Sequence, residues 1–274
     1  MSLIEAIVLG IVQGLTEFLP VSSTAHLRVV PAFFGWDDPG AAFTAVTQLG
    51  TMAAVLVFFR GDLVRIGRSW LRSLRSPRAR MDLDARLGWY ILLGTIPIGV
   101  FGLAFENQIE TSARSLLLIA VALIVVGLVM SYSERVGTQR RSTEDITLRD
   151  GLVMGFAQAL ALVPGVSRSG STIAAGLFLG LDRAAAARFS FLLSIPAIVL
   201  SGTFQLLSIL QGTQPDETGL MPLAVATVLA GVSGYASIAF LLRFLVAHSV
   251  NVFVVYRVAL GVLLLALLGG GVIR

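Results

Sequence analysis

Cysteine and lysine are both absent from the 274 residues, histidine occurs twice, and only 13% of positions are charged. The absence of cysteine excludes disulfides and thiolate metal sites. A soluble globular domain carries about 25% charged residues, so this few charges cannot cover the surface of a soluble protein of this length. With lysine missing, all 20 basic side chains are arginine. They cluster between apolar blocks, a distribution set by membrane orientation rather than by a nucleic-acid partner, so no nucleic acid is expected. No basic stretch precedes the first apolar block, and Glu5 lies inside that block, so no secretory leader is expected there.

What is present is apolar sequence, 56% of the chain, in long runs. Six stretches are long enough to cross a bilayer: 41–59, 87–105, 116–132, 189–211, 219–242 and 252–273. The last contains Arg257. An arginine at mid-membrane costs at least ~2.5 kcal/mol on insertion scales, so it should snorkel to an interface or face a polar interior. Two further segments, 1–36 and 151–182, are apolar but interrupted by Pro, Ser and Gly. Each reads as a short helix, a break and a second short helix, a re-entrant pair that dips in and returns. The expected fold is an all-α integral membrane protein with six spanning helices and two re-entrant helix pairs.

Loop 60–86 carries Arg60, Arg65, Arg68, Arg72, Arg75, Arg78, Arg80 and Arg86, and loop 133–150 carries Arg135, Arg140, Arg141 and Arg149. Loops 106–115 and 212–218 are poor in arginine. Placing the arginine-rich loops in the cytoplasm puts both termini outside. Segment 1–36 then enters from outside and 151–182 from the cytoplasm. An internal repeat agrees: Gln13, Val21, Ser22, Gly35 and Asp37 match Gln158, Val166, Ser167, Gly180 and Asp182 at an offset of 145. Three spans between the copies make them inverted, an architecture that sets a site where the copies meet near the midplane. Repeat one covers about 1–132, repeat two about 151–274, and 133–150 is a cytoplasmic linker within a single membrane domain.

The polar residues concentrate in the two breaks. In GLTEFLPVSSTAH, residues 14–26, Glu17 lies in an apolar stretch with Gln13 one turn earlier on the same face. Ser22, Ser23, Thr24 and His26 follow Pro20. A carboxylate, hydroxyls and an imidazole within ten residues form a polar cluster rather than a stray group. His248, near a span end, reads as structural. In LVPGVSRSGST, residues 162–172, Arg168 sits in the middle of an apolar segment, and its planar fork suits phosphate oxygens. Ser167, Ser169, Ser171 and Thr172 add hydroxyls, Gly165 and Gly170 allow close backbone approach, and the amides opening the next helix favour negative charge. A structural Arg168–Glu17 ion pair is the alternative reading of these two charges, and it is compatible with phosphate binding. Together these groups suit phosphoanhydride cleavage on a lipid-tailed substrate, with Ser23, His26 or an activated water attacking in line. A lipid-phosphate transporter built on the same anion site is the alternative class.

These two runs, with TQLGTMAAV at 47–55 and VYR at 255–257, resemble the signature motifs of the undecaprenyl-diphosphate phosphatase (bacitracin-resistance) family over essentially the whole chain. The resemblance implies hydrolysis of undecaprenyl diphosphate to the monophosphate and phosphate, recycling the carrier of cell-wall synthesis. It also implies a divalent cation, Mg²⁺ or Ca²⁺, a place in the bacterial inner membrane, and an active site open to the outer face. It puts Glu17, Ser23, His26 and Arg168 on catalytic positions, with Glu17 as the candidate metal ligand. Gln13, Ser22, Thr24, Ser167, Ser169, Gly170 and Thr172 fall in the phosphate-binding motifs. Two positions depart from the family pattern. Gln13 stands where glutamate is common and cannot serve as a base or anionic ligand, which leaves Glu17 as the lone carboxylate of the cluster. Ala25 replaces the usual glycine before the histidine. Polyprenyl diphosphate and membrane lipid are the implied partners; a homodimer is compatible with the sequence but not required by it.

Overall fold

A computed structural model describes residues 1–105, 115–210 and 219–273. The loops expected at 106–115 and 212–218 lie almost wholly outside the described residues. Those residues form helices α1 (Leu3–Phe18), α2 (Ser23–Phe34), α3 (Gly40–Phe58), α4 (Arg60–Arg75), α5 (Leu83–Ala104), α6 (Leu116–Val136), α7 (Leu148–Ala159), α8 (Arg168–Phe178), α9 (Arg183–Leu210), α10 (Leu220–Ala247) and α11 (Asn251–Gly269). Among the described residues there is no β-strand, only one isolated bridge between Arg141 and Leu181.

Five of these helices (α5, α6, α9, α10 and α11) are long and apolar enough to cross a membrane. A sixth is reached by counting α3 with α4, which follows it across a 77° bend. The protein is thus an all-α, multi-pass membrane protein. The 60–86 region is not the loop expected from its arginines. The apolar run ends at Phe59, and from Arg65 to Arg75 arginines recur every three or four residues, so the chain continues as an amphipathic helix. Its narrow apolar face buries Ile66 against the rest of the protein, and Trp70 meets Trp89 of α5 edge-on at 5.6 Å.

Helices α1 and α2, and α7 and α8, are the two interrupted pairs. At 16 and 12 residues, α1 and α7 are too short to span a bilayer. The breaks share a device. Ser22 and Ser167 have φ of 74° and 73°, and Gln139 is the only other non-glycine residue with positive φ among those described. L-residues avoid this region at a cost of about 1–2 kcal/mol. Here it reverses the chain, and each serine hydroxyl then caps the following helix by accepting from Ala25 N and Gly170 N respectively. Both pairs also end on a left-handed glycine, Gly35 and Gly180.

Small residues bring these pairs close to the spans. A Cβ on Gly14 would lie 2.4 Å from the Ala230 carbonyl of α10, and one on Gly155 would lie 2.1 Å from the Gly94 carbonyl of α5. Such contacts let helix backbones meet where lipid offers no hydrophobic drive for association. Beneath the breaks, Phe18 and Phe59 both pack edge-on against Phe191 of α9, at 5.3 and 6.3 Å.

Candidate active site

Glu17 ends α1, and its carboxylate is buried. Its Oε2 accepts from Gln13 Nε2 at 2.9 Å and from Ser23 Oγ, across the break, at 2.6 Å. Arg168 opens α8 and brings Nη2 to 3.9 Å from the other carboxylate oxygen. Residues far apart in sequence therefore meet, and Glu17 and Arg168 form a loose ion pair. The remaining Arg168 nitrogens, Nε and Nη1, are buried without any hydrogen-bond partner. A narrow pocket with room for about one water lies here, lined by Glu17, Phe18, Arg168, Ser169, Ser190, Phe191, Ser194 and Ile198. Its lining combines a cation, a carboxylate and hydroxyls with aromatic and aliphatic groups.

The other motif residues divide by what their polar atoms already do. Ser169 lines the cavity, and its hydroxyl donates to the Leu19 carbonyl at 3.1 Å, joining the two breaks. Ser22 and Ser167 serve as helix caps, and the Gly170 amide is spent on the Ser167 cap. Thr24 Oγ1 lies 3.5 Å from the Gly165 amide, a further tie across the breaks. Thr172 is fully buried, donates to the Arg168 carbonyl and meets the Ser190 hydroxyl. These groups hold the Ser23 and Arg168 side chains in place.

His26 turns away from Glu17. Its Nδ1 lies 2.7 Å from the Ser22 carbonyl, which can only accept, so Nδ1 carries the proton and donates. Its Nε2 lies 2.6 Å from the Tyr256 hydroxyl, and the two rings stack at 5.6 Å. His248 is at a helix end, stacked on Phe244, with Nδ1 facing the Phe244 carbonyl.

Arg257 resolves the choice left open by its position in an apolar span: it is fully buried and faces a polar interior. Its guanidinium donates to the carbonyls of Pro20 in the first break, Gly165 and Val166 in the second, and Ala122 and Leu123 of α6. It ties the two breaks to each other. The sequence flagged its charge but not its destination. Tyr256, Ser190 and Ser194 were not singled out as site residues. The only signal for the serines is their four-residue spacing in an apolar helix.

Among the described residues, no three His, Cys, Asp or Glu side chains converge on one point. Glu17 is the carboxylate at the site, and Gln13, bonded to it through Nε2, has an Oε1 without a partner. This sparse set fits a hard cation that keeps waters and takes phosphate oxygens as ligands, rather than one held in an all-protein cage.

Known proteins resemble this chain over nearly its whole length. The family described as "Bacitracin resistance protein BacA" matches residues 6–263. A protein of Mycolicibacterium smegmatis named "Undecaprenyl-diphosphatase" is 56% identical over 100% of this chain and 99% of its own length. Proteins with the same name from Nocardioides sp. (54% identical, 98% of both chains) and Chlorobium luteolum (51%, 100% of this chain and 99% of its own) are also similar. With identities this high over nearly full length, the chain belongs to the bacitracin resistance protein BacA family.

Proposed function

We propose that the protein hydrolyses undecaprenyl diphosphate to undecaprenyl phosphate and inorganic phosphate, as the names of its relatives describe. This reaction returns the lipid carrier to cell-wall synthesis and underlies bacitracin resistance. The observation that carries the reading is the Ser23–Glu17–Arg168 constellation: a serine proton aimed at a carboxylate at 2.6 Å, beside a guanidinium with two unpaired donors.

Arg168 binds the diphosphate oxygens through Nε and Nη1, with Ser169 beside it. Ser23 Oγ attacks the terminal phosphorus in line as Glu17 takes its proton. The bond from that phosphorus to the bridging oxygen breaks, and undecaprenyl phosphate leaves with the proton that Glu17 took from Ser23, which returns the carboxylate to its basic form. Water activated by Glu17 then hydrolyses the phosphoserine to release phosphate. His26, with both ring nitrogens engaged by Ser22 and Tyr256, supports the break rather than attacking. A divalent cation, Mg²⁺ or Ca²⁺, held by Glu17 and Gln13 Oε1, would neutralise charge on the diphosphate. The same reading makes 1–132 and 151–274 inverted halves, with the enzyme in the bacterial inner membrane and its site open to the outer face. The matched backbones at Ser22 and Ser167 support it.

The test is phosphate release from undecaprenyl diphosphate by purified protein in detergent. Ser23→Ala and Arg168→Ala should each lower kcat at least about 100-fold, with the helical circular dichroism unchanged. Near-normal turnover of Ser23→Ala would remove the serine nucleophile. Near-normal turnover of Arg168→Ala would remove the anion site.

A further inference from the structure

We infer that one face of α9, formed by Ser190, Ser194 and Ile198, is the third wall of this site and sorts the substrate, with Ser194 at the diphosphate and Ile198 at the first prenyl units. The inference rests on the phosphatase reading and adds a subsite to it. Residues spaced by four lie above one another on a helix, and eight residues advance about 12 Å. All three are buried in the protein interior yet line the cavity that holds Glu17 and Arg168. Along that length the wall changes from hydroxyl to hydrocarbon. Phe18 and Phe191 face the same cavity, packed edge-on, and complete the apolar side.

The hydroxyls have distinct duties. Thr172 donates its proton to the Arg168 carbonyl, so in its contact with Ser190 the serine is the donor. That contact fixes α9 against the first turn of α8, and so fixes the backbone that carries Arg168. Ser194 donates to the Phe191 carbonyl of its own helix at 2.7 Å. That carbonyl already lies within helical hydrogen bonding, so the Ser194 hydroxyl is free to rotate toward an anion at the cost of a secondary contact. The two buried, unpaired nitrogens of Arg168 mark where that anion sits. A polar end beside a guanidinium and an apolar end beside two phenyl rings match one ligand chemistry, a diphosphate joined to a hydrocarbon chain.

Inorganic pyrophosphate supplies the headgroup alone, and geranyl diphosphate adds two prenyl units. Each is used as a competitor against undecaprenyl diphosphate, with phosphate release from the lipid as the readout. Ser194→Ala should raise the inhibition constants of both competitors about fivefold to tenfold, the scale of one lost hydrogen bond. Ile198→Ala should raise that of geranyl diphosphate about tenfold, the scale of lost methylene contacts, and leave that of pyrophosphate within about twofold. Ile198→Ala opens space at a buried position and lowers the melting temperature, so both variants are assayed below their melting transitions, with retained helical circular dichroism showing that they are folded. The inference is overturned if Ile198→Ala weakens the two competitors equally, if Ser194→Ala moves neither, or if pyrophosphate does not compete with the unsubstituted protein. Absence of phosphate release from undecaprenyl diphosphate by the unsubstituted protein would instead sink the activity itself.

Discussion

Replacing Arg257 with methionine should loosen the catalytic breaks and the fold together. Of the five carbonyls that its guanidinium bonds, those of Ala122 and Leu123 lie inside α6, where helical N–H groups still satisfy them. Pro20, Gly165 and Val166 lie in the breaks, where Arg257 is their donor. A buried polar group left without a partner costs about 1–3 kcal/mol, so three stranded carbonyls cost about 3–9 kcal/mol. Set against typical stabilities of about 5–15 kcal/mol, that is a large fraction of the whole. Methionine restores the side-chain volume but none of the donors. Arg257→Lys should fall between, because an ammonium has donors but lacks the fork that spans both breaks. The assay is thermal unfolding in detergent followed by circular dichroism, in parallel with phosphate release. Because the same carbonyls position Ser23 and Arg168, kcat should fall with stability in the order arginine, lysine, methionine. A methionine variant that melts within about 1 kcal/mol of wild type and turns over normally would refute the reasoning.

Two further outcomes follow from contacts away from the cavity. Asp150 is buried; burial pushes its carboxyl up, but bonds from Arg141 and from the backbone and hydroxyl of Thr147 outweigh this and hold it below the ordinary carboxylate range. A depressed folded-state value stabilises the protein above the unfolded pKa of about 3.9 and is lost as pH falls through the folded value. Asp150→Asn should therefore cost about 1–3 kcal/mol at neutral pH, and unfolding curves should show the gap to wild type closing below about pH 4; a gap independent of pH would contradict this. Gly155→Ala should destabilise by about 1–3 kcal/mol through overpacking, since the new Cβ would sit 2.1 Å from the Gly94 carbonyl. Helix propensity alone predicts stabilisation of about 1 kcal/mol, so the sign of the melting shift decides.

The fold was largely legible because each signal in the sequence had one physical outlet. Charge-free runs of about twenty residues had to become long helices, and Pro-Ser-Gly interruptions in apolar sequence had to become breaks. Helix α4 was missed because its arginines were read as the mark of a loop, although their three-to-four-residue spacing equally fits one face of a helix. At the site, Glu17, Ser23 and Arg168 stood out because ionic and hydroxyl groups are expensive in apolar surroundings. Ser190 and Ser194 did not, because a serine inside a helix can satisfy its hydroxyl on its own backbone, as Ser194 does. Whether such a residue faces a cavity or another helix depends on packing, which no local pattern records. The partnership of His26 with Tyr256 was hidden for the same reason: it joins α2 to α11 across the whole chain.

Arg257, fully buried, and Arg168, partly so, argue against each other in a useful way. They share one chemistry and one apolar setting, so any difference in their hydrogen bonding reflects what each is there to hold. Arg257 spends its donors on five protein carbonyls and has nothing left for a ligand. Arg168 keeps Nε and Nη1 unpaired and meets Glu17 only at 3.9 Å, well beyond the ~2.7–2.9 Å of a charge-assisted hydrogen bond. Glu17 is meanwhile committed, through its other oxygen, to Ser23 and Gln13. A diphosphate that takes the Arg168 fork therefore breaks only a weak contact and leaves the serine–carboxylate pair intact. Under the proposed reaction the site is set for that exchange: it holds the Ser23 hydroxyl tightly and the Arg168 guanidinium loosely, and the rigid part of the anchoring belongs to Arg257.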